Sequence, residues 1–210
     1  MYYIVNYRYY IHLLSKNKIK MIHQIFIDIG KGKSYLDNPI YKKCVEENKK
    51  QSLQHKIWNE KMLDDLCKEH YPQYFEFWKS FPHPFWKIDF GRYMLLHHEG
   101  GIYIDMDDII TEPIVLNRDI VTIFKRKNSR IEFNNNIIHF QDRNNYKRLM
   151  DYCLERNVKC LMPTNWKQRR FFYIVGQRAY HSFVKLVLEK EMKNTIEFNG
   201  FDTNAWLFMF

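Results

Sequence analysis

The sequence predicts a single α/β domain in which a mostly parallel central sheet is flanked by helices. Short apolar segments rich in branched residues alternate along the chain with segments of helical periodicity, an order typical of layered α/β folds. The 210 residues, 46% of them hydrophobic, provide one sizeable core but are too few for two ordinary domains. The 17% aromatic content excludes a disordered chain, and no repeat of solenoid length is present.

The first part of the chain contains two predicted strands, each followed by a predicted helix. A branched apolar run predicts a buried strand over Ile22–Ile29, and a second strand is expected over Gln54–Trp58. An Asp-Asn-Pro start signal favours a helix over 35–50, and apolar spacing favours another over Asn59–His70. Three prolines among bulky aromatic residues predict a loop over Tyr71–Pro84.

The middle of the chain carries the clearest helix, which is predicted over Phe85–His98 and ends at Gly100-Gly101 as at a glycine cap. A short strand over Ile102–Ile104 then runs directly into an acidic segment. Ligands of such sheets bind beyond the carboxyl ends of the strands, so a site is expected there. The later elements are predicted as strands at Ile120–Lys125, Asn136–Phe140 and Phe171–Val175 and as helices at Tyr146–Asn157 and His181–Met192.

The chain is basic, with a formal net charge of +9 at pH 7, and this favours partners that carry phosphate. The abundance of Lys, Asn, Ile and Tyr beside only two alanines also matches the codon bias of an A+T-rich genome. No basic helix, zinc-ligand spacing or RNA-binding aromatic motif accompanies the charge, so nucleic-acid binding is not expected. The four cysteines form no Cys-x-x-Cys motif and are predicted to be reduced.

Residues 1–20 are predicted to be an N-terminal extension, and residues 21–210 to form the single domain. Asn6, Arg8 and His12 interrupt the tyrosine-rich start well before the roughly 18 to 20 apolar residues that a membrane span requires. An amphipathic segment at a membrane interface is the alternative for this stretch. The lack of a span favours the cytoplasm of a host or a microbe, and a Golgi-type location stays open.

Asp105 and Asp107 stand two residues apart at the exit of an apolar strand. If the backbone stayed extended, both side chains would face one side, where two hard oxygen ligands can converge on a divalent cation. Such a cation keeps open positions that suit the phosphates of a nucleotide sugar. An ordinary acidic turn is the alternative, because surface turns are rich in aspartate. Asp108 is expected to cap or solvate the turn that follows, with assistance to the metal as the alternative.

Asp89 and Arg92 are three residues apart on the predicted helix and therefore share a face. The functional interpretation is that they bring an acceptor carboxylate and a forked guanidinium to the site, a combination suited to sugar hydroxyls. The alternative is an ordinary ion pair within the helix, which contributes only about 0.2 to 0.5 kcal/mol.

The stretch 89–107 joins an Asp-x-x-Arg-Tyr helix, a Gly-Gly-Ile-Tyr strand and an Asp-x-Asp at fixed spacing. It resembles the sugar-binding DXD region of family 32 glycosyltransferases, which include yeast Golgi mannosyltransferases, and is similar to that region of the clostridial glucosylating toxins. The resemblance implies a GT-A type nucleotide-diphospho-sugar transferase fold. It also implies that Mn²⁺ or Mg²⁺ is held by Asp105 and Asp107, with Asp105 helping to hold the ribose or sugar.

Other segments extend the resemblance to about residues 21–140. Phe26 stands where the family usually has a Trp near the nucleotide base, and Trp58 lies in a segment similar to the family's Leu-Trp-Asp. Residues 133–138 are similar to its Asn-Asn strand. Trp206 looks like the tryptophan of a Ser-Trp that contacts donor phosphates, but Ala205 replaces the serine, so Asn204 would have to substitute. Trp58 and Trp206 each have a core aromatic as the alternative.

These features predict a metal-dependent, retaining glycosyltransferase that moves a sugar from a UDP- or GDP-sugar to a glycan or another hydroxyl acceptor. The resemblance implies that the leaving phosphate itself acts as base, so no catalytic residue of the protein is assigned. The predicted donor-binding residues are Phe26, Trp58, Asp89, Arg92, Asp105 and Trp206. The alternative is a sugar-nucleotide or glycan-binding module without efficient turnover.

Overall fold

Six strands form one sheet in the computed structural model, which describes residues 21–29, 32, 34–51, 54–110, 119–125, 131–159, 173–188 and 196–199. They are β1 (Met21–Ile25), β2 (Gln54–Trp58), β3 (Ile102–Ile104), β4 (Ile120–Lys125), β5 (Ile131–His139) and β6 (Ile196–Asn199). Their order across the sheet is β2-β1-β3-β5-β4-β6. β1 is parallel to β2 and β3, and β4 is parallel to β6, whereas β5 is antiparallel to both neighbours. The predicted mostly parallel sheet is thereby confirmed.

Helices connect and flank these strands. They are α1 (Pro39–Lys49), α2 (Glu60–His70), α3 (Phe75–Lys79), α4 (Pro84–Glu99), α5 (Asn144–Lys159) and α6 (Gln177–Phe183). Single 3-10 turns at Tyr35–Asp37 and Pro72–Tyr74 precede α1 and α3, and a π-helical segment, Val184–Leu188, follows α6. Within the parts of the chain that the structure describes, no helix is long and apolar enough to cross a membrane.

Local signals in the sequence account for the ends of the helices next to the site. The side chain of Asn38 accepts hydrogen bonds from the amides of Ile40 and Tyr41, which caps the start of α1. α4 ends at Gly100, where φ is 74°. At Gly101, φ is 83° and a Cβ atom would lie 2.5 Å from the carbonyl oxygen of Met21. Glycines therefore allow a sharp turn into β3 directly against β1.

Two apolar clusters lie on opposite faces of the sheet, because successive side chains of a strand alternate between faces. The larger cluster packs α2 to α6 against one face and includes Trp78, Phe90, Tyr93 and Tyr103. The smaller cluster contains the buried isoleucines Ile22, Ile102, Ile104, Ile110 and Ile120. From Phe90 to Leu96, α4 is buried at every residue, so this helix lies inside the larger cluster and carries its polar residues into the interior.

Three elements differ from the sequence prediction. The predicted loop over Tyr71–Pro84 is wrong, because it contains the 3-10 turn and α3. The tendency of prolines to interrupt helices was outweighed by the burial of aromatic side chains, since Tyr74 and Trp78 are each only 1% exposed. The predicted strand over Phe171–Val175 is also wrong where it is described, because Tyr173 and Ile174 have helical backbone. The strand β6 was not predicted.

The other elements are confirmed to within a few residues, and β2, β3 and β4 have the predicted bounds. β5 begins five residues before the predicted Asn136, at Ile131. The predicted helix His181–Met192 corresponds to α6 and the π-helical segment, and its last four residues lie outside the described part. Residues 1–20, Ala205 and Trp206 also lie outside the described part, so the division at residue 20 stays a prediction.

Candidate active site

The acidic loop, Asp105–Asp108, follows β3 directly. The amide of Asp105 still donates to the carbonyl oxygen of Asn136 on β5, at 2.8 Å, and the chain then turns so that the amide of Asp108 donates to the carbonyl of Asp105, at 3.1 Å. This turn brings carboxylate oxygens of Asp105, Asp107 and Asp108 within 4.8 Å of one another. The predicted convergence of Asp105 and Asp107 is thus present, but a turn produces it instead of an extended backbone, and Asp108 joins the group.

Asp105 lies at the inner end of the acidic loop. Its Oδ1 accepts a hydrogen bond from the Tyr103 hydroxyl, at 2.7 Å, and lies 3.3 Å from Nη2 of Arg92. Burial raises the pKa of Asp105 to about 8, an effect that Arg92 opposes and that the charges of Asp107 and Asp108 increase. One carboxylate oxygen is therefore held by the protein, and the carboxylate is destabilised by its acidic neighbours.

Arg92 connects α4 to this loop. Its Nη2 lies 2.7 Å from Oδ1 of Asp89, its Nη1 donates to the carbonyl oxygen of Asn135, and its guanidinium lies over the Tyr103 ring, 4.5 Å from the centroid. Arg92 is 4% exposed and Asp89 is 7% exposed. The ion pair expected as the alternative is present, but it is buried and points towards Asp105, so it differs from a surface pair in helix α4.

A run of three asparagines on β5 forms the second wall of the site. The Nδ2 atom of Asn135 donates to Asp89 Oδ1, at 2.8 Å, and to the Tyr93 hydroxyl, at 3.2 Å. The Nδ2 atom of Asn136 donates to Asp108 Oδ2, at 2.7 Å. The resemblance identified this strand but assigned neither residue a role. The sequence did contain a signal for such a role, because asparagine is depleted in β-strands and three in a row within one strand are unusual.

Two more polar side chains, which the sequence analysis missed, hold the backbone of the acidic loop. Gln24 on β1 donates from Nε2 to the carbonyl oxygen of Asp105, at 3.0 Å, and accepts from Nε2 of His55, at 2.7 Å. The buried side chain of Asn48 on α1 donates to the carbonyl of Asp108 and accepts from the amide of Ile110, each at 2.9 Å. The loop is therefore fixed to β1 and to α1 as well as to β5.

An aromatic cluster of Phe26, Tyr35 and Tyr41 lies beside the acidic loop. The ring centroid of Phe26 is 6.0 Å from that of Tyr35 and 6.4 Å from that of Tyr41, both in edge orientation. Burial raises the pKa of Tyr41, and the charges of Asp107 and Asp105 add to that rise. Tyr41 therefore connects Phe26, the residue predicted to lie near the base, with the charges of the acidic loop, and neither Tyr35 nor Tyr41 was predicted as part of the site.

Trp58 has a different environment. It is 4% exposed, its indole N–H donates to Nδ1 of His23 at 3.0 Å, and the Lys56 ammonium lies 3.7 Å from its ring centroid. These contacts satisfy the indole within the protein and favour the alternative of a core aromatic. Its assignment to the donor stays a prediction, as does that of Trp206, which lies outside the described residues.

The residues of the acidic loop fit a hard divalent cation. Asp107 is exposed, Asp108 is half-buried, and burial together with the charge of Asp107 raises the pKa of Asp108 to about 6. Carboxylates that repel one another in this way are stabilised by a cation. The Oδ1 atom of Asn136 is buried and finds no hydrogen-bond partner in the described part of the chain, and an amide oxygen is a suitable neutral ligand.

The fold and the sequence around this site are both similar to those of glycosyltransferases. The structure is similar to the solved "PaToxG Glycosyltransferase", with a TM-score of 0.56 and 14% sequence identity over 80% of this chain and 70% of that chain. At that identity the likeness concerns the fold, which is of the GT-A type. The sequence model of the family described as "Glycosyltransferase sugar-binding region containing DXD motif" matches residues 35–129. That range contains α4, β3 and the acidic loop, and the match confirms the resemblance drawn from residues 89–107.

Curated relatives carry related names. The chain is 40% identical over 52 residues to "Mannosyl phosphorylinositol ceramide synthase CSH1" of Saccharomyces cerevisiae. The matched segment covers 25% of this chain and 14% of that relative. It is 21% identical over 166 residues to "Inositol phosphoceramide mannosyltransferase 2" of Schizosaccharomyces pombe. That match covers 71% of this chain and 48% of the relative. The chain thus spans less than half the length of each of these relatives.

Proposed function

We propose that this chain is a metal-dependent glycosyltransferase that moves a sugar from a nucleotide-diphosphate donor to a hydroxyl acceptor with retention at the anomeric carbon. The observation that carries the proposal is the convergence of three carboxylates at the end of β3, backed by the buried pair of Arg92 and Asp89. The match to the DXD family and the names of the relatives support the same activity.

The side chains have separate tasks in this proposal. Asp107, which is the exposed member of the cluster, holds the cation together with Asp108, and Asp105 contributes from the inner end. Mn²⁺ or Mg²⁺ bound there would neutralise the charge that develops on the departing diphosphate. No residue is assigned as a base, because the leaving phosphate can take the proton of the acceptor hydroxyl.

Arg92 acts on the donor sugar through its neighbours. Its nitrogen atoms already donate to the carbonyls of Ile88 and Asn135 and contact Asp89 and Asp105. A guanidinium so engaged has little left for a ligand, but it fixes the orientation of two carboxylates. Asp89 and Asp105 then accept hydrogen bonds from sugar or ribose hydroxyls, with Arg92 as the positioning residue.

The nucleotide base is expected at the aromatic cluster. Phe26 and Tyr41 offer ring surfaces for stacking beside the acidic loop, so that a base there would leave its diphosphate near Asp107. Since two relatives are named for mannosyl transfer to inositol phosphoceramides, GDP-mannose is the first donor to test, and a hydroxyl on an inositol-containing lipid is the first acceptor.

The test is a thermal-shift screen with UDP- and GDP-sugars in the presence and absence of Mn²⁺, followed by donor hydrolysis with the stabilising sugar nucleotide. The proposal expects Mn²⁺-dependent stabilisation and measurable release of nucleoside diphosphate. Stabilisation without hydrolysis or transfer would favour a binding module. No stabilisation by any sugar nucleotide would contradict the proposed donor class.

A further inference from the structure

The amide group of Asn136 is satisfied on one side only. Its Nδ2 donates to Asp108 Oδ2 at 2.7 Å, whereas its buried Oδ1 has no hydrogen-bond partner among the residues that the structure describes. Within the described part of the chain, the hydroxyl of Tyr180 is the one other buried side-chain atom in this condition. A buried unpaired acceptor is unfavourable and rare in folded proteins, so its presence needs an explanation.

The position of Asn136 indicates what the missing partner is. Its backbone carbonyl accepts from the amide of Asp105 at 2.8 Å, so this residue lies alongside the start of the acidic loop, and its side chain reaches Asp108. The side chain next to this amide is the Asp108 carboxylate, which has no proton to donate when ionised. Because Oδ1 belongs to the same amide as the Nδ2 atom that contacts Asp108, a cation bound beside Asp108 can reach it, and amide oxygens are common ligands of hard divalent ions.

We propose that Asn136 supplies, through Oδ1, a neutral oxygen ligand to the divalent cation held by Asp107 and Asp108. The inference rests on the metal dependence of the proposed function. The amide would then have two roles, since Nδ2 orients Asp108 while Oδ1 binds the ion. A neutral ligand suits this place because carboxylate oxygens of three aspartates already lie within 4.8 Å of one another, and their negative charges repel.

The two roles can be separated by two substitutions. Asn136→Leu has a similar size and removes both the oxygen and the donor, whereas Asn136→Asp keeps an oxygen ligand, removes the donor to Asp108 and adds a negative charge. The measured quantity is the Kd for Mn²⁺, obtained by electron paramagnetic resonance of free Mn²⁺ with GDP or UDP present. Asn145→Leu is the matched control, because Asn145 is a buried asparagine on α5 whose Oδ1 accepts from Nη1 of Arg148 at 2.9 Å.

The proposal expects Asn136→Leu to raise the Kd for Mn²⁺ at least tenfold, Asn136→Asp to raise it by no more than about threefold, and Asn145→Leu to leave it unchanged. Melting temperatures measured in EDTA identify a variant that fails to fold. If Asn136→Leu and Asn136→Asp weakened Mn²⁺ binding equally, the proposal would be overturned, because Asn136 would then act only by orienting Asp108. An unchanged Kd in Asn136→Leu would also overturn it while leaving the metal dependence intact. A wild-type protein that binds no Mn²⁺ would contradict both.

Discussion

The Nη2 atom of Arg92 lies 3.3 Å from Oδ1 of Asp105, which ties the middle of a buried helix to the first residue of the acidic loop. The same atom lies 2.7 Å from Asp89. Helix α4 and strand β3 are joined only by the Gly100-Gly101 turn, so they can fold back on each other closely enough for this contact. The buried charge of Arg92 therefore has two carboxylate partners, and each carboxylate takes its orientation from the guanidinium.

Arg92→Lys is expected to retain the fold and to lose most of the transfer activity. A single ammonium cannot reproduce contacts to two carboxylates and the carbonyl of Asn135 at once, so Asp89 and Asp105 lose their fixed orientation. Turnover should fall by at least about tenfold, a loss of roughly 1.4 kcal/mol in transition-state stabilisation. Circular dichroism checks the fold, and release of nucleoside diphosphate measures the rate.

Arg143→Lys is the matched control, because Arg143 donates from the exposed surface to the carbonyl of His98 at 2.9 Å. It should transfer at the wild-type rate. If Arg92→Lys also did, the buried pair would be a structural feature of α4 without a part in the reaction.

The Gly100-Gly101 turn yields a prediction about stability. At Gly101 an alanine would combine a φ of 83° with a Cβ placed 2.5 Å from the Met21 carbonyl oxygen. At Gly32 an alanine would meet a φ of 61° but, among the described residues, no atom within 4 Å of its Cβ. Gly32→Ala is expected to lower the free energy of unfolding by about 1 kcal/mol, and Gly101→Ala to lower it by at least about 2 kcal/mol more.

Urea unfolding of the two variants measures this difference. A loss at Gly101 equal to that at Gly32 would mean that β1 and β3 separate easily at this point. The turn would then have little influence on where the acidic loop lies.

The sequence predicted the elements that local signals define. Asn38 and Gly100 mark helix ends, and the Asp-x-Asp follows a short apolar strand, so both the strand and the carboxylate pair were found. α3 was missed because prolines suggested a loop. Its stability comes from burial and from the bond between the Trp78 indole and Asp64, at 2.6 Å, and neither follows from residue order.

The supporting residues of the site could not be predicted in the same way. Asn48 and Gln24 hold the acidic loop across 60 and 81 positions of sequence, and a single sequence has no signal for such pairs. Asp108 was expected to cap a turn, and only the turn geometry shows that its carboxylate joins the other two. Long-range contacts of this kind depend on strand order, which periodicity does not determine.

The pair of His23 and Trp58 predicts a pH dependence of stability. His23 accepts from the Trp58 indole at Nδ1 and bonds to the Gly100 carbonyl through Nε2, so protonation would break the bond to Trp58. Burial is the main cause that lowers the pKa of His23 to about 4. Between pH 6.5 and 4 the unfolded chain therefore binds a proton that the folded chain does not, and the free energy of unfolding falls as the pH falls.

Neutral His23 contributes about 3 kcal/mol to the free energy of unfolding. This contribution is fully present above pH 6.5 and is lost by about pH 4. Chemical unfolding of the wild type and of His23→Gln at several pH values measures it, because the difference between the two cancels the other titrating groups. Asp105 and Asp108 act in the opposite direction, since their raised pKa values stabilise the folded state as the pH falls. Parallel pH profiles for the two proteins would contradict the prediction.

Asp107→Asn tests the site most directly. The substitution keeps the shape and one oxygen but removes the charge of the exposed member of the cluster, which attracts a hard cation. The same charge raises the pKa of Asp105 and of Asp108, so its removal relieves repulsion when no metal is bound. The variant should therefore melt at an equal or higher temperature than the wild type in EDTA.

With Mn²⁺ and a nucleoside diphosphate present, the wild type should gain stability by about 2.7 kcal/mol when the ligand is at a hundredfold excess over its Kd. Asp107→Asn should gain almost none, and its donor turnover should fall by orders of magnitude. Asp65→Asn is the control, because Asp65 is exposed on α2 and pairs only with Lys61, at 2.6 Å, among the contacts of the described residues. It should behave as the wild type in both assays. If Asp107→Asn kept the wild-type dependence on Mn²⁺, the cation would bind elsewhere, because a ligand cannot lose its charge without weakening a site built from so few oxygens.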